Sequence, residues 1–438
     1  MPEHTRRRFL KFGIFSTISG LAGCTGFTPY SGNQTNETST GTPENPFQLT
    51  PWPYPHRTAA KTNATPDAVP EDELQAQWSV GVPDRANSTV LTAPLVTSDS
   101  ICGLTRDAIV AGSPRSGDQS FVADYSTANS ALVNDGVVIT RPKEDTRILG
   151  LQLSDGSREF LSRLPGATEQ DYNDLRFYPA DDRLFYSVNY ETDSLNGRGT
   201  EFGALSLPDL SQLWQNRAVD QSGEIEVCGG VKDPDASYVF VTRINTTVTE
   251  RVEEGREPAV EAYDLESGRQ QWHVDIHGLP LAAHNGRLYV GLPRYDLVTS
   301  RGLNGIAALE IDTGEEIWRR DDPSLIMNTI ATGNSMAVDD SGVYLALEHS
   351  LMSLDPTDGS TQWQYQTTEP IVTTPVAAGN AVVVGSQPRL HTVSKSDGSQ
   401  LSISRIQGEA AGRGITGSIA VAGRAVFAGT DRGIVAFA

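Results

Sequence analysis

Four sets of residues have the types and closeness that chemistry would need. His273, His277 and His284 could ligate a metal, and Asp181-Asp182, Asp321-Asp322 and Asp339-Asp340 could hold calcium. Cys102 and Cys228 could bridge, and Gly412-Arg-Gly-Ile-Thr-Gly417 has the close glycines of a phosphate cradle. Each falls short on spacing. A strand and a turn separate the histidines, which leaves no pair on one helical face. The aspartate pairs lack the alternating ligands of a calcium loop. The glycines precede a strand, so no helix N-terminus follows to receive a phosphate. The two cysteines are sparse in a large core and read as buried free thiols, and no Gly-x-Ser-x-Gly is present. Recognition is the chemistry that is left. Three long interruptions of the strand pattern, 189–200, 244–258 and 294–304, bring Tyr190, Glu191, Asp193, Arg243, Glu253, Glu254, Arg294, Tyr295 and Asp296 together as a candidate binding face. Long polar loops on a rigid scaffold are where proteins place recognition.

Those loops depend on the elements that carry them. Ala308-Leu-Glu-Ile-Asp-Thr-Gly314-Glu-Glu-Ile-Trp318 sets a small residue, an acid, a glycine and a tryptophan at its first, third, seventh and eleventh positions. The copy from 262 to 272 repeats all four with Gly268 and Trp272, and the copy from 353 to 363 repeats them with serine first, Gly359 and Trp363. Others have decayed: 204–214 keeps Trp214 but has Leu210 for the glycine, 150–160 keeps Gly156 and ends in Phe160, and 392–402 keeps only Gly398. The acid accepts backbone hydrogen bonds in a turn, the glycine supplies a positive φ, and the flat indole fills space between sheets, so the motif is a packing element. Between copies run short two-period apolar stretches separated by Asp-Gly, Asn-Gly and Ser-Gly turns, which is hairpin chemistry.

The expected fold is all-β: one β-propeller of four-stranded antiparallel blades over 74–438. The chain ends at Gly433-Ile-Val-Ala436-Phe-Ala438, which aligns with the start of the motif, while Leu74 to Trp78 aligns with its end. The N-terminal strand is therefore expected to complete the last blade and leave no exposed sheet edge. Final motif positions at 160, 214, 272, 318, 363 and 402, with a long interval from Trp78 to Phe160 that holds a further motif-poor blade, make the count eight rather than seven.

Residues 1–23 read as an export signal. Arg6-Arg7-Arg8-Phe9-Leu10-Lys11 precedes an uncharged run too short to span a bilayer, and Leu21-Ala22-Gly23-Cys24 closes it. The pattern resembles a twin-arginine signal, with Arg6 and Arg7 as its recognition pair, followed by a lipobox in which Cys24 carries lipid. The address implied is the outer face of the cytoplasmic membrane. Residues 24–73, rich in Thr, Ser, Asn and Pro, read as a disordered tether in which Trp52-Pro-Tyr54-Pro is the one part able to dock. Sequons stand at Asn33, Asn36, Asn63, Asn87 and Asn245, and an exported tether is where glycans are expected.

Acidic residues outnumber basic ones by 55 to 34, and lysine occurs only at 11, 61, 143, 232 and 395. That balance excludes nucleic acid, which needs a basic face to displace counterions. Acid spread over the whole chain suits a high-salt cell, where screening weakens self-repulsion.

Taken together, the motif resembles the tryptophan-docking repeat of the quinoprotein-type, PQQ-like β-propellers. The resemblance implies one of two roles. The first is a non-enzymatic scaffold with an unidentified protein partner, similar to the lipid-anchored propeller that serves as factor B in outer-membrane-protein assembly. The second is a PQQ-dependent dehydrogenase of alcohols or sugars. The dehydrogenases carry a catalytic aspartate, a calcium site and an adjacent cysteine pair, and this chain matches none of these by motif, so no cofactor is expected.

Overall fold

Two-residue turns set the blades apart. At Asp135-Gly136 both residues have positive φ, 46° and 77°, and at Asn285-Gly286 they have 48° and 72°. These are the left-handed pairs that let two strands meet with the right-handed twist of a hairpin. A computed structural model describes residues 49–438 apart from several stretches, the longest being 82–88, 165–173, 192–197, 219–224, 227–237, 244–258, 294–302, 328–335 and 406–413. Every regular element among the described residues is a strand, and the strands form eight sheets of four. Seven sheets use consecutive strands and make blades 1 to 7, over 95–123, 127–163, 174–218, 225–274, 279–321, 336–366 and 376–405. Blade 8 combines strands Ile415–Ala422, Ala425–Thr430 and Gly433–Phe437 with Ala76–Gly81 from the other end of the chain. Its first strand adjoins the first strands of blades 1 and 7, which closes the ring.

The closing seam is in the register expected from the motif. Trp78 pairs with Ala436, as Trp318 pairs with Ala308 and Trp272 with Ala262. In blade 2 the small residue is Gly150, where a Cβ would run into the Phe160 ring across the strands. Gln75 and Ala438 exchange two backbone bonds of 3.1 Å where the other blades have a turn.

That turn is the same in all seven remaining blades. The amide at the seventh position donates to the carbonyl of the third: Gly314 to Glu310 at 2.8 Å, Gly359 to Asp355 at 2.9 Å, and Leu210 to Ser206 at 2.9 Å. Acid side chains brace the next residues, with Asp264 Oδ1 accepting from the Ser267 amide at 2.7 Å. The glycine has a second reason beyond its φ of +72° at Gly359. A Cβ there would stand 2.6 Å from Trp318 of the preceding blade, so the indole rests on bare backbone. Trp78 lies on Gly117, Phe121 on Gly156, Trp214 on Gly268, Trp272 on Gly314 and Trp363 on Gly398 in the same way.

Two interfaces depart from this plan. Between blades 2 and 3, Phe160 and Leu210 belong to one apolar cluster. A smaller aromatic and a larger turn residue compensate each other, although Leu210 must hold φ at +56°. Between blades 7 and 8 the facing turn is absent, so Ser402 has no glycine to cover. Leu74 is buried at that seam and its amide donates to Ser404 Oγ at 2.7 Å. Decay of the motif at Leu210 and Ser402 thus follows the partner surface instead of marking looser packing.

The stretch 24–73 begins to be described at residue 49, and from there it lies against the ring. Trp52 is fully buried and exchanges backbone bonds of 2.7 and 2.8 Å with Val96 of blade 1. Pro53 O accepts from the Val133 amide of blade 2 at 2.9 Å. Thr62 O accepts from Val338 of blade 6, and Asn63 O from Ala377 of blade 7. Blades 2 and 6 are opposite one another in an eight-blade ring, so the strap reaches both sides. The described residues from 49 onward accordingly belong to one compact unit with the blades.

Candidate functional site

In an antiparallel blade the second-to-third connections emerge on the face that also carries the links between blades. The first-to-second and third-to-fourth turns emerge on the other. The strap bonds to the first strands close to their turns, at Val96, Val133 and Ala377 and at Gly423 in the turn itself, whose amide donates to Asp67 Oδ2 at 2.9 Å. It therefore lies on the turn face, at blades 1, 2, 6, 7 and 8, and the link face is the one that bears the insertions.

Those insertions fall in three consecutive blades, 3, 4 and 5. Blade 3 corrects one boundary: its second strand is Arg183–Glu191 and its third Arg198–Ser206, so only 192–197 connects them and the nine-residue strands absorb the rest. Tyr190 and Glu191 are thus strand residues, paired with Gly199 and Arg198. Arg243 ends the second strand of blade 4, opposite Ala259. All three stand at the link face. Asp193, Glu253, Glu254, Arg294, Tyr295 and Asp296 lie outside the described residues, as do Arg6, Arg7, Cys24 and Cys228.

The remaining candidates for chemistry resolve into structure. His284 Nε2 stands 2.9 Å from Asp340 Oδ1, an exposed link between blades 5 and 6. Asp339 pairs with Lys395 Nζ at 2.5 Å between blades 6 and 7. Burial pushes the Asp339 carboxyl up, but hydrogen bonds from Lys395 and Ser341 outweigh it and hold the group below the usual carboxylate range. Cys102 is a free thiol buried in blade 1, and burial pushes it up to about 12, far from a reactive thiolate. Among the described residues no three His, Cys, Asp or Glu side chains are placed to hold a metal ion.

One constellation was missed in the sequence. His391 of blade 7 lies with its Nε2 2.7 Å from Ser386 Oγ and its Nδ1 3.1 Å from Tyr365 OH of blade 6. Ser386 is fully buried, so the pair reaches no substrate. It is an interblade pin, with the Glu369–Arg389 ion pair, 3.0 Å apart, facing it. Burial is the main cause that holds His391 below the ordinary histidine range; Arg389 acts in the same sense and Glu369 opposes. The folded state thus prefers the neutral ring, while the unfolded chain takes up a proton near pH ~6.5. Stability is expected to be complete above that pH and to fall as pH drops through it toward the lowered value. Urea midpoints at pH 7.5 and 5.5 should differ more for the native chain than for His391→Gln; equal differences would remove His391 as the cause. A motif copy was also missed: Ala111, Gly117 and Phe121 keep the spacing in blade 1, with Ser113 in place of the acid.

Comparison with known proteins falls into place on this geometry. Residues 256–438 match the family model described as outer membrane protein assembly factor BamB. No curated protein matches the sequence. Among solved structures, quinohemoprotein alcohol dehydrogenase from Comamonas testosteroni superposes with a TM-score of 0.65 at 12% identity, over 88% of this chain and 80% of its own. BamB from Moraxella catarrhalis gives 0.52 at 14% identity, over 83% and 97%. A europium-containing methanol dehydrogenase gives 0.58 at 12%, over 89% and 91%. At such identities these likenesses are of fold, shared alike by an assembly factor and by enzymes.

Proposed function

We propose that this chain is an exported, lipid-anchored propeller that binds a protein partner on its link face as a non-enzymatic scaffold. One observation carries the reading: the three longest second-to-third connections, 192–197, 244–258 and 294–302, stand in three consecutive blades of the ring, while the chain's own strap lies on the other face. The match of 256–438 to an assembly-factor family supports it. Rigid support of adjacent loops lowers the ordering cost of binding.

The test is recovery of partners by crosslinking and pull-down from the native membrane, with the native chain and with 244–258 replaced by a short Gly-Ser link. Partner recovery is expected to fail for the replaced chain while its melting temperature is unchanged. Unaltered recovery, or turnover of alcohols after loading with PQQ and calcium, would overturn the reading. The address is tested separately. Cys24→Ser is expected to release the protein into the medium, and lysine at both Arg6 and Arg7 to keep it inside the cell, as read by immunoblotting of fractions.

A further inference from the structure

Asn63-Ala64-Thr65 is a glycosylation sequon by sequence, and the structure gives its asparagine another occupation. Asn63 is 2% exposed and Thr65 5%. Asn63 Nδ2, the atom that would bear a glycan, donates to the Met336 carbonyl of blade 6 at 2.8 Å and to its own strap at Lys61 O at 3.4 Å. On either side the backbone is stitched to the inner strands of two blades. The Val338 amide donates to Thr62 O at 2.9 Å, the Ala377 amide to Asn63 O at 2.9 Å, the Thr65 amide to Ala377 O at 2.8 Å, and the Gly379 amide to Asp67 O at 2.6 Å. Ala64 and Ala377 form a parallel bridge. Asn63 holds φ at +48°, a left-handed conformation that asparagine tolerates better than most residues.

These contacts need one side chain. A neighbour with a shorter polar group would not reach the Met336 carbonyl, and a carboxylate would present an acceptor to an acceptor. The geometry points to Asn63 as the pin that seats the strap on blades 6 and 7, and to its sequon as a glycosylation site of the unseated strap only. Seating and modification then exclude each other. A sugar on Nδ2 has no room at a buried position, so a glycan attached before docking would hold residues 61–67 off the ring and uncover the inner strands Met336–Asp339 and Val376–Ala377.

Transfer from a nucleotide sugar forms a bond from Nδ2 to the anomeric carbon, breaks the bond from that carbon to the diphosphate oxygen, and releases the nucleoside diphosphate and one Nδ2 proton. The full chain and a synthetic peptide of residues 57–71 are incubated together with UDP-glucose and a soluble N-glycosyltransferase, and each Asn63 is read by mass spectrometry. The peptide is expected to be modified and the folded chain to lag it by about tenfold or more, because only the opened fraction reacts. Equal rates would overturn the proposal. A second arm separates pinning from the sequon. Asn63→Asp and Thr65→Ala both abolish the sequon, but only the first removes the donor to Met336. Hydrogen exchange at the Val338 and Ala377 amides is expected to quicken in Asn63→Asp and to stay near the native rate in Thr65→Ala; native exchange at both in Asn63→Asp would also overturn it.

Discussion

Replacing Trp318 by alanine is expected to lower stability by about 3–5 kcal/mol, the range for deleting a large buried aromatic. The indole is almost wholly buried between blades 5 and 6. Its Nε1 donates to the Pro356 carbonyl of the next blade at 2.9 Å, its face covers Gly359, and Tyr289 packs beside it with ring centroids 6.1 Å apart. Alanine removes all three contacts and leaves a cavity between Tyr289 and the turn at Gly359, which is held in place by its own hydrogen bond from Gly359 to Asp355. Trp318→Phe is expected to cost less, since most of the volume stays and the lost donor leaves one carbonyl unpaired, a penalty of about 1–3 kcal/mol. Gly359→Ala attacks the same contact from the other side, because the new methyl meets the indole and the φ of +72° is strained for alanine. The two changes should couple: alanine at 359 is less harmful once the indole is gone, so the double variant falls short of additivity. Urea unfolding of the four proteins measures this. A cost below about 1 kcal/mol for Trp318→Ala, or strict additivity, would show that the blades are not held by this contact.

The second large effect is at the seam. Deleting Ala76–Gly81 is expected to abolish cooperative unfolding and drive the chain into aggregates. The strand Gly433–Phe437 would lose its partner from Ala76 to Gly81 and offer an open, apolar edge. Free edges recruit further chains. Trp78 would also leave Gly117 of blade 1 uncovered, so the ring would open at two contacts together. Light scattering and gel filtration distinguish the outcomes. A soluble monomer with native melting after loss of Ala76–Gly81 would mean that the ring does not depend on this closure.

The two results test the part of the fold that the amino-acid order states most openly. The motif at 308–318 is local: a turn, a glycine and an indole within eleven residues. Its period therefore announced the blades, and the halves left at 78 and 436 announced the closure, before any tertiary contact was known. Only the partner surface explains the decayed copies. Phe160 looks defective until Leu210 is found across the interface, and Ser402 until the facing turn is found replaced by chain ends.

The strap and the pins show the opposite case. The described residues of 49–74 hold their place by scattered backbone bonds and buried side chains against strands far away in sequence, so they carry no periodic pattern, and composition alone reads them as a tether. Asn63 belongs to a sequon in one dimension and to the wall of blade 6 in three. His391 and Ser386 share blade 7, and Tyr365 reaches His391 only because blades 6 and 7 are neighbours. Local periodicity determined that this protein is a propeller of eight blades, since hydrogen-bonded turns and alternating strands are written in adjacent residues. Which face the strap lies on and what the buried polar groups Asn63 and His391 do were decided by the tertiary structure, because those contacts join residues that only the closed ring brings together.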